Sequence, residues 1–482
     1  MNRLWAMGYG LLVLASRPLA AQAPLTLQQV IALAQQQGFA ARAAQATRDA
    51  ARYRDRAFYS RLLPQLSLGG TMPSYNRAII PVLQPDGSTL FKPQNQTDAS
   101  LRATLTQKVP LTGGDFFVSS ALARVSVTGQ NSFHSWSSTP VSFGLRQDLL
   151  RPNVAAWDRR EQPLRAELAE RGYLEAREDI ALTTSNLFFD VYAARVAVAN
   201  QIKNVAVNDT LFTLNKGRFE VGKIGENDLL QSELALLRAR TSLDGARLES
   251  DRAVAALRLA LNLPVGAPLD IEVTSTIPDF EPDTARAVAE ALKHRASMSE
   301  VALQEVQARR RVTEARLSNW LGASVSASYG FNATAPDASA VYSNLLNAQQ
   351  FTVSLSLPLW QWGAHQEGVK AAQAEQERSS SLAQSTVQQT AQDAHFAALQ
   401  LSQAKRNVAL SAKADTVAGK RFEVALNRYS ISRITIDNLY IAQNEKDQAL
   451  TGFVQSLRGY WQAYYRLRRM TLFDFAMGEV IR

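Results

Sequence analysis

Two periodicities divide this chain. Apolar residues recur at helical spacing over five long stretches, about 163 to 216, 228 to 262, 285 to 319, 365 to 427 and 436 to 470, and over a shorter one at 26 to 62. At 1.5 Å per residue, a stretch of about 50 residues reaches roughly 75 Å, far beyond the helices of an ordinary globular domain. Helices of that length need lateral partners. Leu229, Leu236, Leu243 and Leu257 fall on a seven-residue repeat, with Ser250 in the gap, so this stretch carries a coiled-coil-like seam. Others are alanine-rich, as at Ala40, Ala41, Ala43 and Ala44 and at Ala391, Ala394, Ala397 and Ala398, where small side chains permit close approach. An ordinary helical bundle would need only these features.

The second periodicity has a period of two. Phe351, Val353, Leu355, Leu357 and Leu359 alternate with Thr352, Ser354, Ser356 and Pro358. Ala323, Val325, Ala327, Tyr329 and Phe331 alternate with Ser324, Ser326, Ser328 and Gly330, and weaker alternation recurs at 101 to 106, at 141 to 146 and near Leu66 and Leu68. Runs of about 9 to 11 residues suit tilted strands crossing a bilayer, apolar side chains toward lipid and small polar ones toward a lumen. The edge of a soluble sandwich would also alternate. It is disfavoured because these hairpins lie between very long helices, with polar loops expected at 73 to 97 and 332 to 350. Four strands cannot close a barrel, since single-chain bacterial barrels start at about 8. Three chains of four would make twelve, and lipid does not tolerate an open sheet edge. Residues 115 to 127 and 139 to 149 suggest a further hairpin, which could join the wall, extend below it, or replace the segment at 99 to 109.

The chain also repeats itself. Arg218, Phe219, Glu220 and Val221 match Arg421, Phe422, Glu423 and Val424 at a spacing of 203, and Asp228 and Leu230 match Asp437 and Leu439 at 209. A fainter echo pairs the helix ending at Leu62, Leu63 and Pro64 with the one ending at Trp320, Leu321 and Gly322. This is a tandem duplication rather than a short-period solenoid. Its expected organisation is a signal segment at 1–23, a first repeat at 24–263 with hairpins at 65–149 and a helical tip near 222, a connector at 264–284, and a second repeat at 285–482 with a hairpin at 323–359 and a tip near 426. Pro264, Gly266, Pro268, Pro278 and Pro282 break helices in the connector.

Composition narrows the function classes. Arg3, the apolar run Leu11 to Ala15 and the small residues Ala21 and Ala23 read as a secretory signal; the run is too short for a spanning anchor, and Arg17 and Pro18 interrupt it. No later run is long and apolar enough for a membrane-spanning helix by hydropathy. With no cysteine, disulfides, thiolate metal sites and Cys nucleophiles are excluded. The net charge of +9, lowered by two on loss of Arg3 and Arg17, is spread along helices among Glu and Asp, which fits a solvated face better than a nucleic-acid site. His134, His294, His365 and His395 share no spacing, and no phosphate-binding, dinucleotide-binding or zinc-protease motif appears, so no catalytic, cofactor or metal site is expected.

Taken together, the amphipathic start at Leu25 to Gly38, the run Leu63 to Leu68, Asn262-Leu263-Pro264, Leu357-Pro358-Leu359 with Trp362 and Gly363, and the paired Arg-Phe-Glu-Val motifs resemble the TolC family of outer-membrane efflux and secretion channels. The resemblance implies a mainly α protein with transmembrane β structure: a homotrimer in which a barrel of about 12 strands in the outer membrane continues into a periplasmic tunnel of long helices. It implies partners too, a periplasmic adaptor and an inner-membrane pump, with no cofactor and no enzymatic activity. Carried over, the adaptor-contact tips fall at Val221, Gly222 and Lys223 and at Val424, Ala425 and Leu426, where Ala425 replaces the glycine and Asn427 to Thr435 lengthens the turn. Asp228 and Asp437, with Arg433 and Tyr429 as partners, are candidates for a periplasmic gate, because symmetric copies of one Asp would gather like charges near an axis. Simple helix capping by the two Asp residues is the alternative. A periplasmic coiled-coil adaptor or scaffold without a pore is the competing reading, and the sequence does not separate drug or metal efflux from protein secretion.

Overall fold

The computed structural model describes residues 24–129, 132–273, 276–318 and 320–482. The expected signal at 1–23 lies outside the described residues. In chain order the elements are α1 (Leu27–Gln37), α2 (Phe39–Ser60), β1 (Gln65–Leu83), β2 (Thr89–Val109), β3 (Gly114–Thr128), β4 (Phe133–Leu149), α3 (Val154–Glu220), α4 (Glu226–Ala260), α5 (Thr284–His294), α6 (Ala296–Ser318), β5 (Gly322–Ala335), β6 (Leu346–Ser356), α7 (Ala364–Ser430), α8 (Ile436–Thr471) and the two-residue strands β7 (Phe473–Asp474) and β8 (Glu479–Val480). The α–α–β–β–α–α order thus occurs twice, with β3 and β4 inserted in the first copy.

Packing divides the chain into two units. Among the described residues, one takes in 24–44, Glu175–Ala287 and Ala394–Arg482; the other takes in Gln45–Leu174 and Val288–Asp393. α3 and α7, of 67 residues each, contribute to both, and at 1.5 Å per residue each is about 100 Å long. α3 begins nine residues before the expected start at 163. Asn153 explains this: its Oδ1 accepts the Ala156 N–H at 2.9 Å, a capping bond, while its amide donates to the Pro110 and Leu111 carbonyls at 3.1 Å. Pro163 therefore lies inside the helix, where it forfeits one backbone bond without ending it.

The first unit, built mainly of helices, holds the main core. Val30, Phe188, Phe189, Leu257, Leu401, Leu457 and Tyr460 are almost fully buried, and Trp461 stacks on Tyr465 and meets Tyr464 edge-on around them. Thr26 and Gln29 form a reciprocal capping box that starts α1. The connector does not float free: Leu25 and Ile271 form a parallel bridge, and the Tyr460 hydroxyl donates to the Pro278 carbonyl at 3.3 Å. The C-terminal turn is clasped by Arg468, which bonds the buried Glu178 at 3.0 Å and Asp474 at 2.8 Å. Burial raises the Glu178 pKa despite Arg468.

The other unit carries one antiparallel sheet of order β1-β2-β3-β4-β5-β6. Four strands per chain were expected, and six are present. The hairpin left unplaced by the sequence, β3 and β4, sits in the middle, β3 bonded to β2 and β4 to β5. The segment expected as a loop at 73 to 97 is instead an extension of β1 and β2, turned at Gly87 in the left-handed region (φ 81°) with Asp86 bonding Ser88. Alternation fades there because Gln94, Gln96 and Asp98 bond one another along one face, so the polar face merely looks like loop. Two bulges, at Thr71/Ser74 and Ser138/Val141, each enclose a proline, Pro73 and Pro140, whose missing N–H a regular ladder would not accommodate.

Phe117 faces Gly144 across β3 and β4, and a Cβ on Gly144 would stand 2.1 Å from the ring tip. Gly144→Ala is therefore expected to evict the ring and lower stability by about 1 kcal/mol, the scale of a cross-strand pair. Melting of the detergent-extracted protein checks this, and Phe117→Ala in the same background should abolish the Gly144→Ala penalty.

Candidate functional site: the sheet wall and the helical tips

The strand registers sort the sheet into two chemically different faces. On one, the pairing places Leu66 beside Leu105, Leu105 beside Val118, Val118 beside Phe143, and Phe143 beside Tyr329. Below that row, Phe116, Leu145, Ala327 and Phe351 are neighbours, and so are Val325 and Val353. These large side chains are exposed: Leu66 76%, Leu145 43%, Phe351 72% and Leu355 69%. Soluble surfaces rarely carry so large a contiguous apolar area. On the other face the rows are Ser67, Thr104, Ser119, Ser142, Gly330, and Thr106, Phe117, Gly144, Ser328, Gln350, with Arg102 and Arg146 among them. Phe117 is the one large apolar side chain in these two rows.

The apolar face is bounded by aromatic residues. Trp320, Trp360 and Trp362 are exposed just beyond the Gly322 and Ser356 ends, and Trp136, with Arg124 over its ring at 5.4 Å, lies toward the other end, paired with Ala335. From Ala323 to Ala335 the strand covers roughly 40 Å, which at a tilt of about 40° spans roughly 30 Å of height, the thickness of a hydrocarbon core. No helix among the described residues is long and apolar enough to cross a membrane.

The helical unit presents two tips. α3 ends at Glu220 and turns through Val221 to Gly225, with Gly222 at φ 70°. α7 continues to Ser430 and turns through Ile431 to Thr435, with Ser432 at φ 61°. The two turns are closed alike. Gly222 N–H donates to Phe219 and Lys223 N–H to Arg218; Ser432 N–H donates to Tyr429 and Arg433 N–H to Arg428. The second tip is therefore seven residues beyond the expected one: Val424, Ala425 and Leu426 lie inside α7, Ala425 buried, and Asn427 to Ser430 is helix, not a lengthened turn. The structural repeat spacing is 210. It aligns Arg218 with Arg428, Phe219 with Tyr429, Val221 with Ile431, Lys223 with Arg433 and Ile224 with Ile434. Val221 and Ile431 are exposed to the same extent, 67% and 63%.

The candidate gate residues separate into two groups. Tyr429 is buried and its hydroxyl donates to Asn215 Oδ1 at 2.7 Å; Arg218 lies over its ring at 5.3 Å and donates to the Ser430 carbonyl at 2.8 Å. Gln231 donates to Asp437 Oδ1 at 2.6 Å. These bonds tie the α3–α4 hairpin to the α7–α8 hairpin. Arg433 is exposed in the second turn, and Asp228 is half-buried in the first turn of α4. Neither Asp is an N-cap: those positions belong to Gly225 and Thr435, so the acids act on the helix dipole from within the first turn. Asn215 and Gln231 had not been singled out by sequence, and Arg218 had been marked only as part of the repeated motif. Asn215 belongs to a series, Asn204, Asn208 and Asn215, buried along α3, where the 210-residue offset places Ala414, Ala418 and Ala425 on α7. Asn200 and Asn204 donate to Asp447 of α8 at 2.8 and 2.7 Å. A small apolar core of Leu211, Phe422, Ile436 and Leu439 surrounds Tyr429, and burial raises the pKa of the adjoining Tyr440.

No family model matches the chain, and no curated protein matches it. Solved structures do. The fold is that of outer-membrane channel proteins, matched over nearly the whole chain. The CmeC outer membrane channel of Campylobacter jejuni is 16% identical, with a TM-score of 0.68 over 92% of this chain and 85% of that one. The open-state MtrE outer membrane channel of Neisseria gonorrhoeae is 14% identical, with a TM-score of 0.65 over 95% and 90%. The outer membrane protein VceC of Vibrio cholerae is 14% identical, with a TM-score of 0.64 over 95% and 97%.

Proposed function

We propose that the protein is a non-enzymatic outer-membrane channel, acting as a homotrimer, that gives small molecules or secreted proteins an exit path through a periplasmic helical tunnel. The sheet carries this reading: one continuous exposed apolar face backed by a face of small hydroxyl residues is the chemistry of a wall between lipid and water. The long helices and the fold shared with CmeC and MtrE support it. Exposed leucines of α4 (Leu230, Leu234, Leu237) and an exposed heptad stripe on α7 (Leu410, Val417, Val424) are faces that neighbouring copies would cover.

In this reading the tips meet a periplasmic adaptor, itself joined to an inner-membrane transporter. Val221, Gly222 and Lys223 remain the first contact, and Ile431, Ser432 and Arg433 take the place of Val424, Ala425 and Leu426 in the second. The bonds of Arg218, Tyr429 and Asp437 hold the tips closed, with Arg433 and Asp228 as charges at the entrance. Extraction from membranes in mild detergent, mass determination and planar-bilayer recording test the whole. A trimer that inserts and conducts is the expected result. A protein soluble without detergent and silent in the bilayer would establish the scaffold reading instead.

A further inference from the structure

The sheet ends in two unpaired edges, β1 and β6. Each carries a row of free backbone donors and acceptors beside a lipid-type face, and neither can be left open in hydrocarbon. We infer that β6 of one chain pairs with β1 of the next copy, so that three six-stranded sheets close a barrel of eighteen strands rather than twelve. The inference rests on the trimeric channel reading above.

Direction allows the pairing. Successive strands are antiparallel throughout, and six is even, so β6 of one copy and β1 of the next run in opposite senses. Stagger fixes its register. Along the hydrogen-bonded row Gln65, Thr106, Phe117, Gly144, Ser328, Gln350, the nearer strand ends lie zero, three, three, five, six and six residues away. Each strand is thus displaced from the last by about one residue. A displacement of about 3.3 Å for every 4.8 Å of lateral spacing is a strand tilt of about 35°, within the range of closed barrels. Carrying the six-residue stagger across the junction sets Gln65 of one copy opposite Ser356 of the next.

That register also matches the faces. It puts Leu66 opposite Leu355, Leu68 opposite Val353 and Gly70 opposite Phe351 on the apolar side, with Ser67 opposite Ser354 on the polar side. A slip of one residue would set each leucine against a serine or threonine. Shifting by two toward less stagger drops the tilt to about 25°, below the closed-barrel range. Eighteen strands at about 35° enclose a backbone cylinder roughly 34 Å across, against roughly 23 Å for twelve, which is the size class of barrels with an open aqueous channel.

The chain has no cysteine, so introduced pairs report without background. Ser67→Cys with Ser354→Cys in one chain, oxidised in the detergent-extracted oligomer, is expected to link copies and give dimer and trimer bands that collapse on reduction. Thr104→Cys with Ser328→Cys is the counter-probe. In a four-stranded wall, with β3 and β4 outside it, β2 and β5 become neighbours and that pair links. In the six-stranded wall they stand roughly 16 Å apart and do not. Linking through 104 and 328 in the trimer, whether or not 67 and 354 also link, overturns the inference and leaves the channel reading intact. Oligomers of two or four chains linked through 67 and 354 keep the edge pairing but overturn both the trimer and the strand total.

Discussion

Arg218→Ala combined with Tyr429→Phe is expected to raise single-channel conductance several-fold and to shift most channels to the open level without changing the trimer mass. The double variant removes the charged donor to the Ser430 carbonyl, the cation over the Tyr429 ring and the hydroxyl bond to Asn215. Hydrogen bonds of this kind are worth about 1 kcal/mol when neutral and about 1.5–3 kcal/mol when charged. Discounting for the half-exposed Arg218, roughly 2 kcal/mol per chain is lost from the closed arrangement. At about 1.4 kcal/mol per tenfold change, that alters the closed-to-open ratio by roughly 30-fold for each chain. Asp437→Asn, which weakens the bond from Gln231, should act in the same direction with a smaller effect. Asp228→Asn is the contrast: that carboxylate acts on the α4 dipole beside the entrance, so its loss should alter ion selectivity while leaving the share of channels at the open level near the parent value. Unchanged conductance in the double variant would remove these bonds from any gating role.

The sequence made the long helices visible because packing over many turns demands apolar residues at regular spacing; only the ends of α3, α4, α7 and α8 moved, while the stretches expected at 26 to 62 and 285 to 319 are each broken in two, at Gly38 and Arg295. The second tip was misplaced for a specific reason. Arg421 to Val424 copies Arg218 to Val221 letter for letter, whereas the structural counterpart, Arg428 to Ile431, keeps the arginine and the aromatic and branched character of two positions but sets Ser430 against Glu220. The false match lies one heptad from the true one, two helical turns away on nearly the same face, so periodicity could not reject it. Lys223 with Arg433 and Ile224 with Ile434, read as chemical classes, were the signal available. The tip bonds were less legible. Asn215 and Tyr429 are 214 residues apart, and nothing in either neighbourhood announces the other. The strand count failed because duplication argued for two strands in each half, while β3 and β4 are an insertion that has no echo in the second half.

The sidedness of the sheet supplies the second large effect. Ser326 and Ala327 are adjacent in the middle of β5, share the same flanking strands, and point to opposite faces: Ala327 lies between Leu145 and Phe351, Ser326 between Arg146 and Thr352. Ala327→Arg is expected to abolish accumulation of trimer in the outer membrane. An arginine on the lipid side near the bilayer midplane costs about 2–4 kcal/mol, and a trimer meets that cost three times. Ser326→Arg adds the same side chain at the same height but on the polar face. It should assemble at parental yield and change only what passes. Set on the face that carries Arg102 and Arg146, it should shift the reversal potential in a salt gradient toward anions. Equal loss of both variants would mean that any bulky charge breaks the strand, and an assembled Ala327→Arg beside a failed Ser326→Arg would reverse the faces. The two neighbouring codons therefore test, through membrane yield and ion selectivity, whether one face of the sheet meets lipid and the other meets water.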